Sequence, residues 1–136
     1  MKVAKAAKIV TAVFLFYVGI VVVFETLLGY FQPQAGTAMV ITTFDNENNG
    51  NDRVVARLES NGMIYVAANH WPRAWYRQAT ANSRMNVNYR GETSEYRAIP
   101  VEGEEHDRVD SEHSLGLVFR ILTGFPPRYF VRLDRN

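Results

Sequence analysis

The chain has 136 residues, 47% of them apolar and 21% charged, with a formal net charge of +1 and no cysteine. Such a length and composition fit one folded domain rather than a disordered chain. Near-neutrality argues against nucleic acid as a partner, because neutralising phosphates needs a basic surplus, and the lack of cysteine excludes disulfides, Cys-ligated zinc and thiol nucleophiles.

The charges are unevenly spread. All three lysines, Lys2, Lys5 and Lys8, lie at the start, and every later cation is an arginine. Between them Ile9 to Phe24, "IVTAVFLFYVGIVVVF", carries no charge. With its apolar flanks this run approaches the ~20 residues that span a hydrocarbon core. Lys8 and Glu25 sit where side chains reach the headgroups, and Tyr30 and Phe31 suit an interface. Residues 1–31 therefore read as a single-pass membrane anchor helix, with membrane lipid as its partner. The lysines favour a cytoplasmic amino terminus; a full span then puts the domain outside the cytoplasm, and a helix dipping into one leaflet is the alternative. A cleaved signal peptide would show a shorter core and a small-residue cleavage site, and a buried core helix would show a polar stripe. Gln32 to Gly36 reads as a linker.

Residues 38–136 read as a second, mainly β domain. Ala38 to Phe44 is rich in β-branched residues and predicts a strand. A polar loop follows, then a strand over Arg53 to Leu58. Ser60-Asn61-Gly62 predicts a tight hairpin returning as Met63 to Ala68. Pro72 suits a helix start, and Ala74 to Ala81 a short helix. Met85 to Tyr89 and Thr93 to Val101 form a second hairpin turning at Arg90-Gly91. Glu102 to Glu112 is acidic and partly helical. Leu115, Val118, Phe119 and Leu122 space as an amphipathic helix, and Arg128 to Leu133 closes as a strand. The sum is a six-stranded antiparallel barrel with helices at its rim.

One corner concentrates large amphipathic side chains: "AANHWPRAWYRQATAN", Ala67 to Asn82, holds two tryptophans, a tyrosine, a histidine and two arginines. Trp71, Trp75 and Tyr76 either line a groove or bury themselves on the barrel. Arg73 and Arg77, four apart, share a helix face and suit either a phosphate or the acidic stretch. His70, His106 and His113 match no metal-binding spacing, so no metal is expected. General-acid use suits His70 better than metal binding, and no catalytic residue is assigned.

This corner and the order of elements resemble the deazaflavin (F420)-dependent nitroreductase and quinone reductase family, in the flavin-reductase-like split β-barrel superfamily. The match runs through Val66, Ala67, Asn69, His70, Ala74, Trp75, Tyr76, Ala81, Asn82 and Arg84, and again through "VEGEEHDRV", Val101 to Val109. The resemblance implies a split barrel binding F420, with FMN as the alternative, in a groove at the barrel wall. It implies that Ala67, Ala68 and Asn69 line the ring and that Trp75 and Tyr76 start the helix beside it. Arg53 and Arg73, with Arg57 and Arg77, would meet the phosphate tail. The family's first loop is basic and rich in small residues; here it carries Asp45, Glu47 and Asp52. The implied function is a membrane-anchored oxidoreductase passing hydride from reduced F420 or a flavin to a small lipophilic acceptor, such as a quinone or nitroaromatic. The alternative is a non-catalytic tethered barrel binding a small ligand or protein. Split barrels often dimerise, so a homodimer is an open option that the sequence does not decide.

Overall fold

The computed structural model describes residues 1–30, 37–69 and 74–136, without the side chains of 28–30. The linker over 32–36, Phe31, His70, Trp71, Pro72 and Arg73 lie outside the described residues, as does the side chain of Tyr30. The chain forms two compact units.

The larger unit spans 32–114 and 127–136. Its strands are β1 (Ala38–Phe44), β2 (Gly50–Ala56), β3 (Leu58–Ser60), β4 (Met63–Ala68), β5 (Arg84–Tyr89), β6 (Glu92–Pro100) and β7 (Tyr129–Arg135). Its helices are α2 (Ala74–Ala81) and α3 (Gly103–Glu112). All strands pair antiparallel in one sheet, in the order β2-β1-β5-β6-β7-β4-β3. Six strands were expected and seven form, because the run expected over 53–58 divides at Arg57. Residues before it pair with β1 and residues after it with β4. Consecutive strands thus lie at opposite edges of the sheet, joined by one residue. An open flat sheet cannot satisfy that, so the sheet curls until its edges meet.

The two hairpins turn where the sequence predicts. Asn61 and Gly62 have φ of 50° and 75°, and Arg90 and Gly91 have φ of 53° and 84°. Positive φ at both central residues gives the turn whose twist matches the strands.

Alternation along the strands sorts two cores. Inside the barrel Met39, Ile41, Val66, Met85, Val87, Ala98, Val131 and Leu133 pack together, and Ala79, Trp75 and Tyr76 of α2 join them. Positions 75, 76 and 79 share one helix face. Thr43 Oγ1 donates to Gln78 Oε1 at 2.6 Å and ties α2 to β1. On the opposite face of β4 and β7, Tyr65 and Phe130 pack with Val101 and Val109 beneath α3.

The smaller unit comprises 1–31 and 115–126. Helix α1 (Lys2–Tyr30) includes a 26-residue stretch, Lys2–Leu27, long and apolar enough to cross a membrane. None of that stretch is buried within the chain, unlike a core helix. Against α1 packs a short helix, α4 (Leu117–Leu122): Phe119 meets Phe24 edge-on at 5.9 Å.

Ile41 is fully buried at the centre of the barrel core. Ile41→Ala should cost about 2–5 kcal/mol, measured as a lowered urea midpoint with an unchanged slope.

Candidate functional site

The seam of the barrel has an open stretch. Strand β3 pairs with β4 only from Met63 to Tyr65, so the ladder stops before Val66. Ala67 lies opposite Phe130 of β7, and the Phe130 carbonyl accepts the Val101 N–H at 3.1 Å on its other side. A strand residue's N–H and C=O point the same way, so Ala67 and Phe130 are a non-hydrogen-bonded pair. The N–H and C=O of Ala67 therefore point away from β7 into the seam, beyond the end of β3. Ala67 is half-buried, Ala68 buried and Asn69 half-buried.

Strand β2 faces β4 across this seam. Arg53 on β2 is the cross-strand partner of Ile41 and shares its inward face. It is half-buried, which puts one cation on the seam strand.

Aromatic side chains gather at the end of β4. Tyr76 of α2 stacks on Tyr129 of β7 at 5.3 Å and 21°, and Trp75 meets Tyr76 edge-on at 5.9 Å. Tyr129 is the cross-strand neighbour of Ala68. Asn69 is held by Arg128, whose Nε donates to Asn69 Oδ1 at 2.8 Å. Arg128 Nη1 also donates to Asp110 Oδ1 at 2.6 Å and to the His113 carbonyl at 2.9 Å. The Arg128 carbonyl accepts from His106 Nε2 at 2.9 Å, which leaves Nδ1 toward Asp107. That backbone bond, with help from Asp107 and Asp110 and against burial, raises the His106 pKa above 6.5.

The first loop bounds a separate cleft of about 250 Å³ against α2, lined by Phe44, Asp45, Ala74, Arg77 and Gln78 among others. Asp45 accepts the N–H of Asn49 at 2.8 Å and of Glu47 at 3.0 Å. The Asn49 amide in particular holds its pKa below 3.8. The cleft therefore opposes one cation, Arg77, with a firmly ionised carboxylate.

A third feature escaped the sequence reading. Outside the barrel, Tyr65 Oη donates to Glu105 Oε1 at 2.7 Å, Arg132 Nη1 reaches the same carboxylate at 2.8 Å, and Arg132 Nε donates to Asp134 at 2.7 Å. Arg108 donates to Ser60 Oγ at 3.0 Å and to Tyr65 Oη at 3.2 Å. The Tyr65 phenol, then Arg132, hold Glu105 ionised by lowering its pKa. The network borders an open cavity of about 610 Å³. Its signal in the sequence was the polar alternation of Arg132 and Asp134 along β7, which opposes Tyr65 across the ladder.

No protein-family profile and no curated protein matches the chain. Solved structures do. A protein solved as a domain-swapped dimer superposes with a TM-score of 0.58 at 17% identity, over 72% of this chain and 80% of that one. The heme storage protein HutZ from Vibrio cholerae gives 0.59 at 16%, over 76% and 84%. The F420-H2 dependent reductase FDR-A gives 0.51 at 19%, over 70% and 93%. The chain shares the fold of these proteins, a split β-barrel.

In this split barrel Ala67, Ala68 and Asn69 adjoin the Tyr76–Tyr129 stack, Trp75 backs Tyr76, and Arg53 stands on the strand across the seam. Arg73 lies outside the described residues. Arg57, in the crossing between β2 and β3, ion-pairs with Glu59 and lies 5.0 Å from the Tyr89 ring centre. The stack on Tyr76 sets Tyr129 on the aromatic corner. Arg128 was missed, because its partners at 69, 110 and 113 meet only after folding.

His106 titrates above its unfolded value. Its stabilising contribution is complete below about pH 6.5 and is lost as pH rises through the raised folded pKa. Urea unfolding from pH 5.5 to 8.5 should show that decline, and His106→Gln should flatten it.

Proposed function

We propose that the chain is a membrane-tethered oxidoreductase whose split barrel binds F420, or FMN in its place, along the open seam. The observation that carries this reading is the Ala67 N–H and C=O pointing into the seam past the end of β3, beside an aromatic corner. A flat ring with amide-like edges pairs with such a strand edge and packs against tyrosine and tryptophan faces. The cofactor, when bound, supplies the hydride chemistry. The chain's own residues hold and orient it: Ala67, Ala68 and Asn69 along one edge, Trp75 and Tyr76 beside the ring, Arg53 and Arg73 toward its anionic groups. Arg128 fixes Asn69, so the polar end of the groove is preorganised. No side chain is assigned a proton-transfer role.

The apolar helix α1 fits a single-pass membrane anchor, which would hold the seam near a lipophilic acceptor such as a quinone or nitroaromatic. The overlap with a protein solved as a domain-swapped dimer supports a homodimer.

A second reading has its own support. The ionised Asp45 opposes Arg77 in the cleft where the resemblance puts a phosphate tail, and like charge repels phosphate. A non-catalytic barrel binding a ligand without a phosphate tail, or a protein, fits that cleft better. The structural likeness to a heme storage protein makes haem one ligand to test.

Titration of the detergent-solubilised chain with oxidised F420, FMN and haem, followed by tryptophan fluorescence, separates the two. Saturable quenching by F420 or FMN, weakened about tenfold or more by Trp75→Ala, is the expected result. Binding of haem alone, or of none by the folded protein, overturns the oxidoreductase reading. Asp45→Asn removes the opposing charge and keeps an acceptor for the loop amides. It should tighten F420 or FMN binding severalfold at low salt, with the gain shrinking as salt rises.

A further inference from the structure

The smaller unit holds a second apolar surface besides α1. Leu117, Val118, Ile121 and Phe125 are 64%, 71%, 41% and 50% exposed. Four large apolar side chains in nine residues, all on one short excursion of the chain, form a contiguous patch rather than scattered exposure.

The C-terminal carbonyls of α4 are prepared for a solvent that cannot hydrogen-bond. A helix leaves its last carbonyls unpaired, and in hydrocarbon each must find a partner within the protein. The Phe119 carbonyl accepts the Thr123 N–H at 3.0 Å and Thr123 Oγ1 at 2.9 Å. The Arg120 carbonyl accepts the Phe125 N–H at 2.9 Å and Thr123 Oγ1 at 3.2 Å. The Ile121 carbonyl accepts the Gly124 N–H at 3.2 Å and the phenol of Tyr17 at 2.7 Å.

Tyr17 identifies the surroundings. It lies in the middle of the uncharged run from Ile9 to Phe24. Any α1 that crosses a bilayer puts Tyr17, and with it the end of α4, at hydrocarbon depth. Val21, one turn on, lines the place where a Cβ on Gly124 would fall, with Cγ1 at 3.1 Å. Between the helices runs a groove of about 560 Å³, lined by Leu15, Phe16, Ile20, Val23 and Leu122 among other apolar residues. The single charge on α4, Arg120, rests 5.5 Å from the Phe125 ring centre.

We infer that residues 115–126 are a second membrane-inserted element, with α4 seated in the bilayer hydrocarbon beside α1 and lipid acyl chains filling the groove between them. The inference rests on the reading of α1 as a membrane anchor. Its neck lies in the barrel unit, where Arg128 Nη1 bonds the His113 carbonyl at 2.9 Å. The inserted excursion is thus bracketed in sequence by residues of the network that holds Asn69.

The test uses the full chain in liposomes. With no native cysteine, Leu15→Cys, Val118→Cys and Phe125→Cys each accept one environment-sensitive fluorophore. Quenching by brominated lipid and by aqueous iodide is then compared. Positions 118 and 125 should be quenched by brominated lipid to within about twofold of position 15 and be protected from iodide. Iodide quenching at 118 and 125, with lipid quenching at 15, overturns the inference and keeps the anchor. Protection from both quenchers at 118 and 125 overturns it in favour of a second copy covering α4. Iodide quenching at all three removes the anchor reading itself.

Discussion

Closure of the sheet over a one-residue crossing governs the larger unit. Gly50–Ala56 belongs to one edge of the sheet and Leu58–Ser60 to the other, with only Arg57 between them. Chain connectivity therefore brings the edges together. The closure is incomplete, because β3 is three residues long and β4 is six. The difference leaves backbone at Ala67 without a ladder partner from β3. A buried backbone amide needs a partner, and a half-open strand edge inside a barrel wall is a natural place for a flat polar ligand. The short third strand thus makes both the barrel and its groove.

Two kinds of support hold the groove in shape. Apolar packing of α2 onto the interior fixes Trp75 and Tyr76. Polar ties fix the rest: Thr43 to Gln78, Arg128 to Asn69, and His106 to the Arg128 carbonyl. The acidic first loop is organised around Asp45 and its own amides, so its charge is part of its fold. A phosphate placed in the cleft beside α2 meets that charge, and a ligand of the seam alone need not.

Much of this was legible in the sequence, and the reasons are physical. The Asn-Gly and Arg-Gly turns fixed both hairpins through their positive φ. The strands over 38–44 and 63–68 and the helix over 74–81 have strong local signals, and their ends fall where expected. The second strand was misread because β-branched Val54 and Val55 and apolar Leu58 look continuous; the switch of edges at Arg57 depends on pairing partners far along the chain. Helix α4 was legible as a helix, yet of its expected apolar face Leu115, Phe119 and Leu122 are half-buried while Val118 stays exposed, since spacing gives a face and not what covers it. The networks around Arg128 and Glu105 join residues up to 59 apart, which no local pattern encodes.

Hydrogen–deuterium exchange of the full chain, with and without F420 or FMN, reads the seam directly. Occupancy of the groove should slow exchange at the Ala67 amide and at the start of α2, and leave the β5–β6 hairpin unchanged. Unaltered exchange at Ala67 under saturating cofactor, or protection confined to the outer face beneath α3, would contradict a ligand bound at the open edge of β4.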